Sequence, residues 1–512
     1  MLLPPFVALY LWPVACIAFF RKYRLQTALC AALLGGYLLL PEKTSFNLPL
    51  LPQLDKQTVP AMTALVAVLL VAGASRNRWQ TRPAPNVLRG LLPRHPAGLV
   101  LLGVLVAGSF LTVLTNGDSV RYGSAVLPGM RPYDGFAAVL AIFMSVLPML
   151  LARKVLARPG DHRLLLGALA IGGFAYSFLA LIEVRMSPQL NIWIYGFFQH
   201  SFIQHYRGGG VWRPVVFLPH GLWLSIFFMA TAIAACGLWR LKAIPRKFFG
   251  IAGIWLLGTL ILSTSLGAMM ITAALLPVAL LLRPRGQLVV ASVIAAIFLT
   301  YPVLRSADQV PLDRVLNFAE SINPDRAGSF RTRILNEDIM LAKALQRPVF
   351  GWGGWGRSRV IDSSEGNTAG PIADGYWTIV LGVGGWTRYI AEFGLLTAPI
   401  FLLLLGWRRR RPGLETGIIA IILAGNLIDL IPNATITPVT WLLAGALWGR
   451  LEVGQDSLAE PAIAAGESAR PGNRRASGDP PEAPSHPVQE TSPLSAYTRQ
   501  TRRVRRGGNK ET

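Results

Sequence analysis

Arginine, tryptophan and a few carboxylates gather between Phe330 and Leu396 in a pattern suited to binding a polyanion and moving a proton beside it. The stretch opens Phe330-Arg331-Thr332-Arg333 and reaches a Gly/Trp turn, Gly351-Trp352-Gly353-Gly354-Trp355-Gly356. It continues through Asp374-Gly375-Tyr376-Trp377 to Ala391-Glu392-Phe393-Gly394-Leu395-Leu396. Guanidinium groups recognise phosphate oxygens two at a time. Arg331 has Leu335 at i+4 and so no acidic neighbour on its own helix face, which frees it for a ligand. Arg333 has Glu337 at i+4, and an intrahelical ion pair is the plain alternative there. Trp352 and Trp355 suit either the membrane interface or stacking on sugar faces and prenyl chains. Arg357, Tyr376, Trp377 and Glu392 are further substrate-contact candidates. Asp374, set among glycine and aromatic residues, is the candidate base if partial burial raises its pKa.

A second group lies in 183–213 and just beyond: Arg207, Gly208-Gly209-Gly210, Arg213, and the histidines His200, His205 and His220. The glycines would let backbone N–H groups approach an anion held by Arg207 and Arg213. His200 and His205 stand four residues apart, a spacing that does not put both rings on one helical face. With no Cys or carboxylate close by to complete a ligand set, no metal is expected. His220 follows Pro219 at the start of an apolar run, where an ionisable side chain suggests function.

These groups must be positioned by membrane helices. Of the 512 residues 52% are hydrophobic and only 15% charged. Apolar runs recur at 3–20, 26–40, 60–74, 98–115, 135–152, 164–182, 214–236, 248–264, 267–282, 287–304, 389–406, 414–431 and 435–449. The fuller ones match a bilayer core of about 30 Å. The fold class expected is therefore all-α, a polytopic transmembrane bundle of about 12–13 spans, with 248–282 readable as one hairpin. The first span has no basic stretch before it and is broken by Pro4, Pro5 and Pro13, unlike a cleavable signal peptide.

Basic residues cluster at Arg21–Arg24, Arg76–Arg94, Arg153–Arg163, Arg240–Lys247, Arg283–Arg285 and Arg408–Arg411, all on one side if every span is real. Because cytoplasmic loops retain Lys and Arg, the N-terminus is expected outside and the C-terminus in the cytoplasm. The domain reading is then helices within 1–304, a long outer loop over 305–388, helices within 389–450, and a tail over 451–512. The loop, roughly 80 residues long, should hold helices of its own. One is expected over 329–346, ended by Pro348. The tail, rich in Pro, Ser, Gly, Glu and Arg, reads as disordered. The net charge of +23 sits in juxtamembrane clusters rather than in a soluble basic domain, so no nucleic-acid partner is expected. Cys16, Cys30 and Cys236 all fall within apolar runs, which suggests no disulfide framework.

In order and spacing, the segments from about 200 to 396 resemble the O-antigen ligase and O-antigen polymerase superfamily of bacterial membrane glycosyltransferases. Arg207 with Gly210 resembles its first outer-loop element, and Arg331 or Arg333 its arginine-bearing helix. Pro348-Val349-Phe350-Gly351-Trp352-Gly353 resembles its turn, and Glu392-Phe393-Gly394-Leu395-Leu396 its return into the membrane. The resemblance implies an undecaprenyl-diphosphate-linked glycan donor, a glycan or lipid acceptor, membrane lipids around both, no cofactor, and the outer face of the bacterial cytoplasmic membrane. It also implies transfer of the glycan to an acceptor hydroxyl, with arginines holding the departing diphosphate. Where ligases carry a loop histidine this chain has Asp374-Gly375-Tyr376-Trp377, and no histidine stands between His220 and His486. Asp374 or His220 must then supply the base. Two other classes stay open: a transporter or flippase of lipid-linked glycans, and a non-catalytic member of an exopolysaccharide assembly complex. Charged residues are scarce within the spans and no inverted repeat is visible, both of which weigh against transport.

Overall fold

The structure is a computed structural model that describes residues 2–47, 53–73, 87–122, 125–322, 324–360 and 374–453. In chain order the helices are α1 (Pro5–Lys22), α2 (Leu25–Leu39), α3 (Thr58–Gly73), α4 (Pro96–Leu114), α5 (Pro132–Val155), α6 (Pro159–Met186) and α7 (Leu190–Tyr195). They continue as α8 (Gly221–Arg240), α9 (Arg246–Leu262), α10 (Leu266–Leu281), α11 (Pro284–Ser306), α12 (Leu312–Ile322) and α13 (Pro324–Leu345). The last four are α14 (Tyr376–Leu405), α15 (Trp407–Arg410), α16 (Leu414–Asp429) and α17 (Pro438–Glu452). One short hairpin, β1 (Val120–Tyr122) with β2 (Ala125–Leu127), joins α4 to α5. The fold is thus an all-α polytopic helical bundle.

Each of the thirteen apolar runs coincides with one helix: α1–α6, α8–α11, α14, α16 and α17. Seven of these, α1, α4, α5, α6, α8, α11 and α14, are long and apolar enough to cross a membrane; α2, α3 and α10 are shorter apolar helices. Residues 248–282 are two helices, broken at Ser263–Ser265. Proline occupies the first turn of α1, α4, α5, α6, α11 and α17, where its missing N–H would be unpaired in any case.

Several helix ends are tied by basic side chains. Arg153, fully buried, pairs with Glu452 and donates to Gly90 O at 3.0 Å. Arg240 donates to Leu282 O at 2.8 Å. Leu451 and Glu452 therefore belong to α17, and the rest of the expected disordered tail, 454–512, lies outside the described residues.

The expected helix over 329–346 is α13, which starts earlier, at Pro324, and is preceded by α12. The return into the bundle begins at Tyr376 rather than at 389, because α14 is two helical stretches merged across a break at Gly385 (φ 62°, ψ −164°). The Gly/Trp turn heals that break. Trp352 N donates to Gly382 O (2.8 Å) and Gly353 N to Val383 O (2.9 Å), while Trp386 N and Thr387 N donate to Pro348 O (2.7 Å) and Val349 O (3.1 Å). Backbone groups freed within an apolar bundle must find such partners. A Cβ on Gly385 would stand 2.5 Å from Pro348 O, and one on Gly351 2.6 Å from Gly384 N, both at positive φ. Gly385→Ala should lower stability by about 1–3 kcal/mol from backbone strain alone. Gly354→Ala, whose Cβ meets nothing within 4 Å, should be close to neutral. Thermal melts of the purified variants measure the difference.

Candidate functional site

Helix α13 lies beside the ends of α10, α11, α14 and α16, and a cavity of about 390 Å³ opens between them. Its polar wall is Tyr301, Arg333, Glu337, Asp374, Asp429 and Asn433; Met270, Ile271 and Ile334 contribute apolar surface. The turn after α16 sets the arrangement. Asp429 accepts from Asn433 Nδ2 (2.8 Å) and from the Thr435 hydroxyl. Tyr376 N donates to Leu430 O (3.1 Å) and Asn433 O (3.2 Å), which brings Asp374 alongside. Asn433 Oδ1 then accepts from Arg333 Nη1 at 3.1 Å, and Arg333 Nε lies 3.5 Å from Asp374 Oδ2. Among the described residues, Arg333 Nη2 carries no hydrogen bond.

One expectation changes here. Arg333 does not pair with Glu337 at i+4, because Asp374 reaches it from the start of α14. Asp374 is partly buried, its side chain 34% exposed and facing Arg333. Glu337 is the enclosed carboxylate. Oε1 accepts from Trp377 Nε1 (2.7 Å), and Oε2 accepts from the Tyr301 hydroxyl (3.4 Å) and lies 3.8 Å from Arg305 Nε. Arg305 is shared with Asp338. Burial pushes the Glu337 carboxyl up to about 7, against the opposing pull of the Trp377 bond and the Arg305 charge.

The other candidates fall into two further places. Tyr376 donates to Glu392 Oε1 (2.5 Å), and Glu392 Oε2 accepts from Arg388 Nε (2.8 Å), a network near the Gly385 break in which Glu392 is buried and its two partners half-buried. Arg388, Gly353, Gly354 and Trp355 line a smaller cavity, about 250 Å³, against the apolar faces of α4 and α5. Trp352 is buried, donates to Lys343 O (2.7 Å) and lies under Lys343 Nζ, 3.5 Å from the ring centre. Arg357 is also buried, donating from Nε to Trp352 O (3.1 Å) and from Nη1 to Pro128 O (2.8 Å). Both side chains brace the turn, whereas Trp355 is exposed. Arg347 braces it from outside through Asp118 (2.7 Å), and this hydrogen bond holds the Asp118 carboxyl below its usual range.

The third place is the 196–221 segment. Arg207 is exposed on a tight turn closed by the Tyr206–Trp212 bridge. Arg213 donates from its backbone to His205 O (2.8 Å) and from Nη2 to Thr264 O (3.2 Å). His220 is the N-cap of α8, its Nδ1 accepting from Leu222 N at 3.0 Å. His200 and His205 are not on one α-helix, so helical spacing does not govern them. His205 ends a single 3₁₀ turn, and ring centres of His200 and His205 each lie 4.6 Å from that of His220. His220 is thus the third ring of this cluster. Burial lowers the pKa of His205 to about 4 and that of His220 to about 2, helped by the neighbouring histidines and arginines. Arg331 is exposed on α13 and is not part of the cavity wall.

Glu337, Asp429, Asn433 and Arg388 were not singled out from sequence. For Arg388 and Asp429 a signal existed, since a charge inside or ending an apolar helix is expensive and suggests function. No protein-family model matches the chain, and no curated protein matches it significantly.

Proposed function

We propose that the chain is a membrane glycosyltransferase of the O-antigen ligase/polymerase type. It would transfer a glycan from an undecaprenyl-diphosphate donor to an acceptor hydroxyl. The observation that carries this reading is the cavity under α13, where a guanidinium, Arg333, and two carboxylates in unlike settings, Asp374 and Glu337, share one wall with apolar surface. The acceptor oxygen attacks the anomeric carbon, the C–O bond to the diphosphate breaks, and the diphosphate leaves with the electron pair. Arg333 stabilises the growing diphosphate charge, oriented by Asp374 and Asn433. Glu337, titrating near neutrality, takes the hydroxyl proton. No metal is needed for either step. Purified protein given a lipid-linked donor and acceptor should release the lipid diphosphate and form a longer or ligated glycan; failure of both sinks the reading.

A second reading draws on α14. A membrane helix broken in mid-course, as α14 is at Gly385, is a feature that secondary transporters also use to build a substrate site. The break is filled by the Pro348–Gly353 turn rather than left open to substrate, which favours transfer. In this reading the cavity faces outward from the bacterial cytoplasmic membrane, with the N-terminus outside and the C-terminus in the cytoplasm. Reporter fusions at 350 and 480 should then give opposite signals, and equal signals would overturn the orientation.

A further inference from the structure

We infer that His200, His205 and His220 form a binding site for a divalent transition-metal ion of the zinc class. One ring nitrogen from each lies within 4.8 Å of the other two. Around a tetrahedral zinc with bonds of about 2.0–2.1 Å, ligand nitrogens stand roughly 3.4 Å apart. Closing the set therefore takes side-chain shifts of about an ångström, which the exposed His200 can supply by rotation.

The hydrogen bonds already orient one ring for the task. His205 Nδ1 lies 3.0 Å from Ser201 O, and since a carbonyl only accepts, Nδ1 carries the proton and Nε2 keeps its lone pair. That Nε2 accepts weakly from Gly221 N, at 3.5 Å, at the base of α8 where His220 sits, a contact an ion would replace. An Nδ1–H bonded to a backbone carbonyl is the usual outer support of a metal-bound histidine. His220 Nδ1 holds a lone pair against Leu222 N–H. An incoming ion takes that lone pair in exchange for the cap bond, which is weak beside a metal–imidazole bond.

The donor set defines the ion. Three neutral imidazoles suit zinc, cobalt, nickel or copper and not the oxygen-seeking magnesium or calcium. Three protein ligands leave a fourth position open, as in catalytic rather than structural zinc sites. The Arg213 stem packs on Gly221, and its guanidinium reaches Thr264 O. Arg213 and Arg207 lie near enough to His205 and His220 to disfavour their charged forms, so a fourth ligand would be an anionic oxygen such as hydroxide or a phosphate group. The site is separate from the cavity under α13 and does not depend on the transfer reaction.

The test uses full-length protein, purified with a chelator and then freed of it. Titration with Zn²⁺ should bind one equivalent, and Co²⁺ in its place should give the visible absorption of a four-coordinate ion. His200→Ala, at an exposed position, and His220→Asn, which keeps a helix-capping acceptor, should each weaken binding by at least about a hundredfold, as removal of a ligand exceeds loss of an outer partner. Less than stoichiometric Zn²⁺ on the wild type overturns the proposal. So does unchanged affinity in His200→Ala, which settles the matter even if His220→Asn does not fold.

Discussion

Glu337→Gln should lower glycan transfer by about 10²–10⁴-fold and abolish a pH dependence that the wild type shows. A carboxyl held at about 7 by burial is half ionised near neutrality, so wild-type turnover should rise with pH and level off above about 7. The variant, with no proton acceptor there, should be slow and flat. Asp374→Asn should act differently. It loosens Arg333 but leaves Glu337 in place, so it should lower the plateau about tenfold and keep the inflection. The opposite outcome, inflection lost in Asp374→Asn and kept in Glu337→Gln, would exchange the two roles.

Stability supplies a readout that activity cannot confound. Because the folded protein holds the Glu337 proton more tightly than the unfolded chain, with its value raised from 4.5 to about 7, the contribution is fully present below about pH 4.5. It is lost as pH rises through about 7. Glu337→Gln has no such loss. It should match the wild type at pH 4.5 and exceed it at pH 8 by on the order of 1–3 kcal/mol. A thermal melt at the two pH values measures this, and equal shifts at both would show that Glu337 is not desolvated.

Every apolar run became a helix because lipid-length hydrophobic segments have few other fates. The break in α14 was hidden for the converse reason. Val383-Gly384-Gly385-Trp386 continues an apolar pattern, and the turn that pairs with it lies more than thirty residues upstream. Local rules also mispaired Arg333. The i+4 spacing offered Glu337, but Trp377 and Tyr301 claim that carboxylate and Asp374 arrives from another helix. The histidines show the same limit. Helical periodicity keeps His200 and His205 apart, yet the segment is a loop and the third ring comes from the cap of α8. Sequence spacing reaches one element at a time, whereas each of these sites is built from two or three.

Arg333→Ala should reduce turnover by about 10²–10³-fold, the loss expected when one preorganised donor to a developing anion is removed. Its Nε and Nη1 are held by Asp374 and Asn433, so the guanidinium is fixed before substrate arrives, and Nη2, without a hydrogen bond among the described residues, can meet a phosphate oxygen. Arg333→Lys keeps the charge but replaces the planar fork by a point donor, and should be nearly as impaired. The loss should appear in kcat more than in KM, since the diphosphate gains charge as the glycosidic bond breaks. Combining Arg333→Ala with Asp374→Asn tests whether the pair acts as a unit. If Asp374 serves only to hold Arg333, the double variant should be no slower than Arg333→Ala alone. A further large loss in the double variant would give Asp374 its own chemical step. Arg331→Ala, exposed two residues earlier, completes the comparison: a loss there with wild-type rates in Arg333→Ala would move the diphosphate off this cavity and onto the outer face of α13.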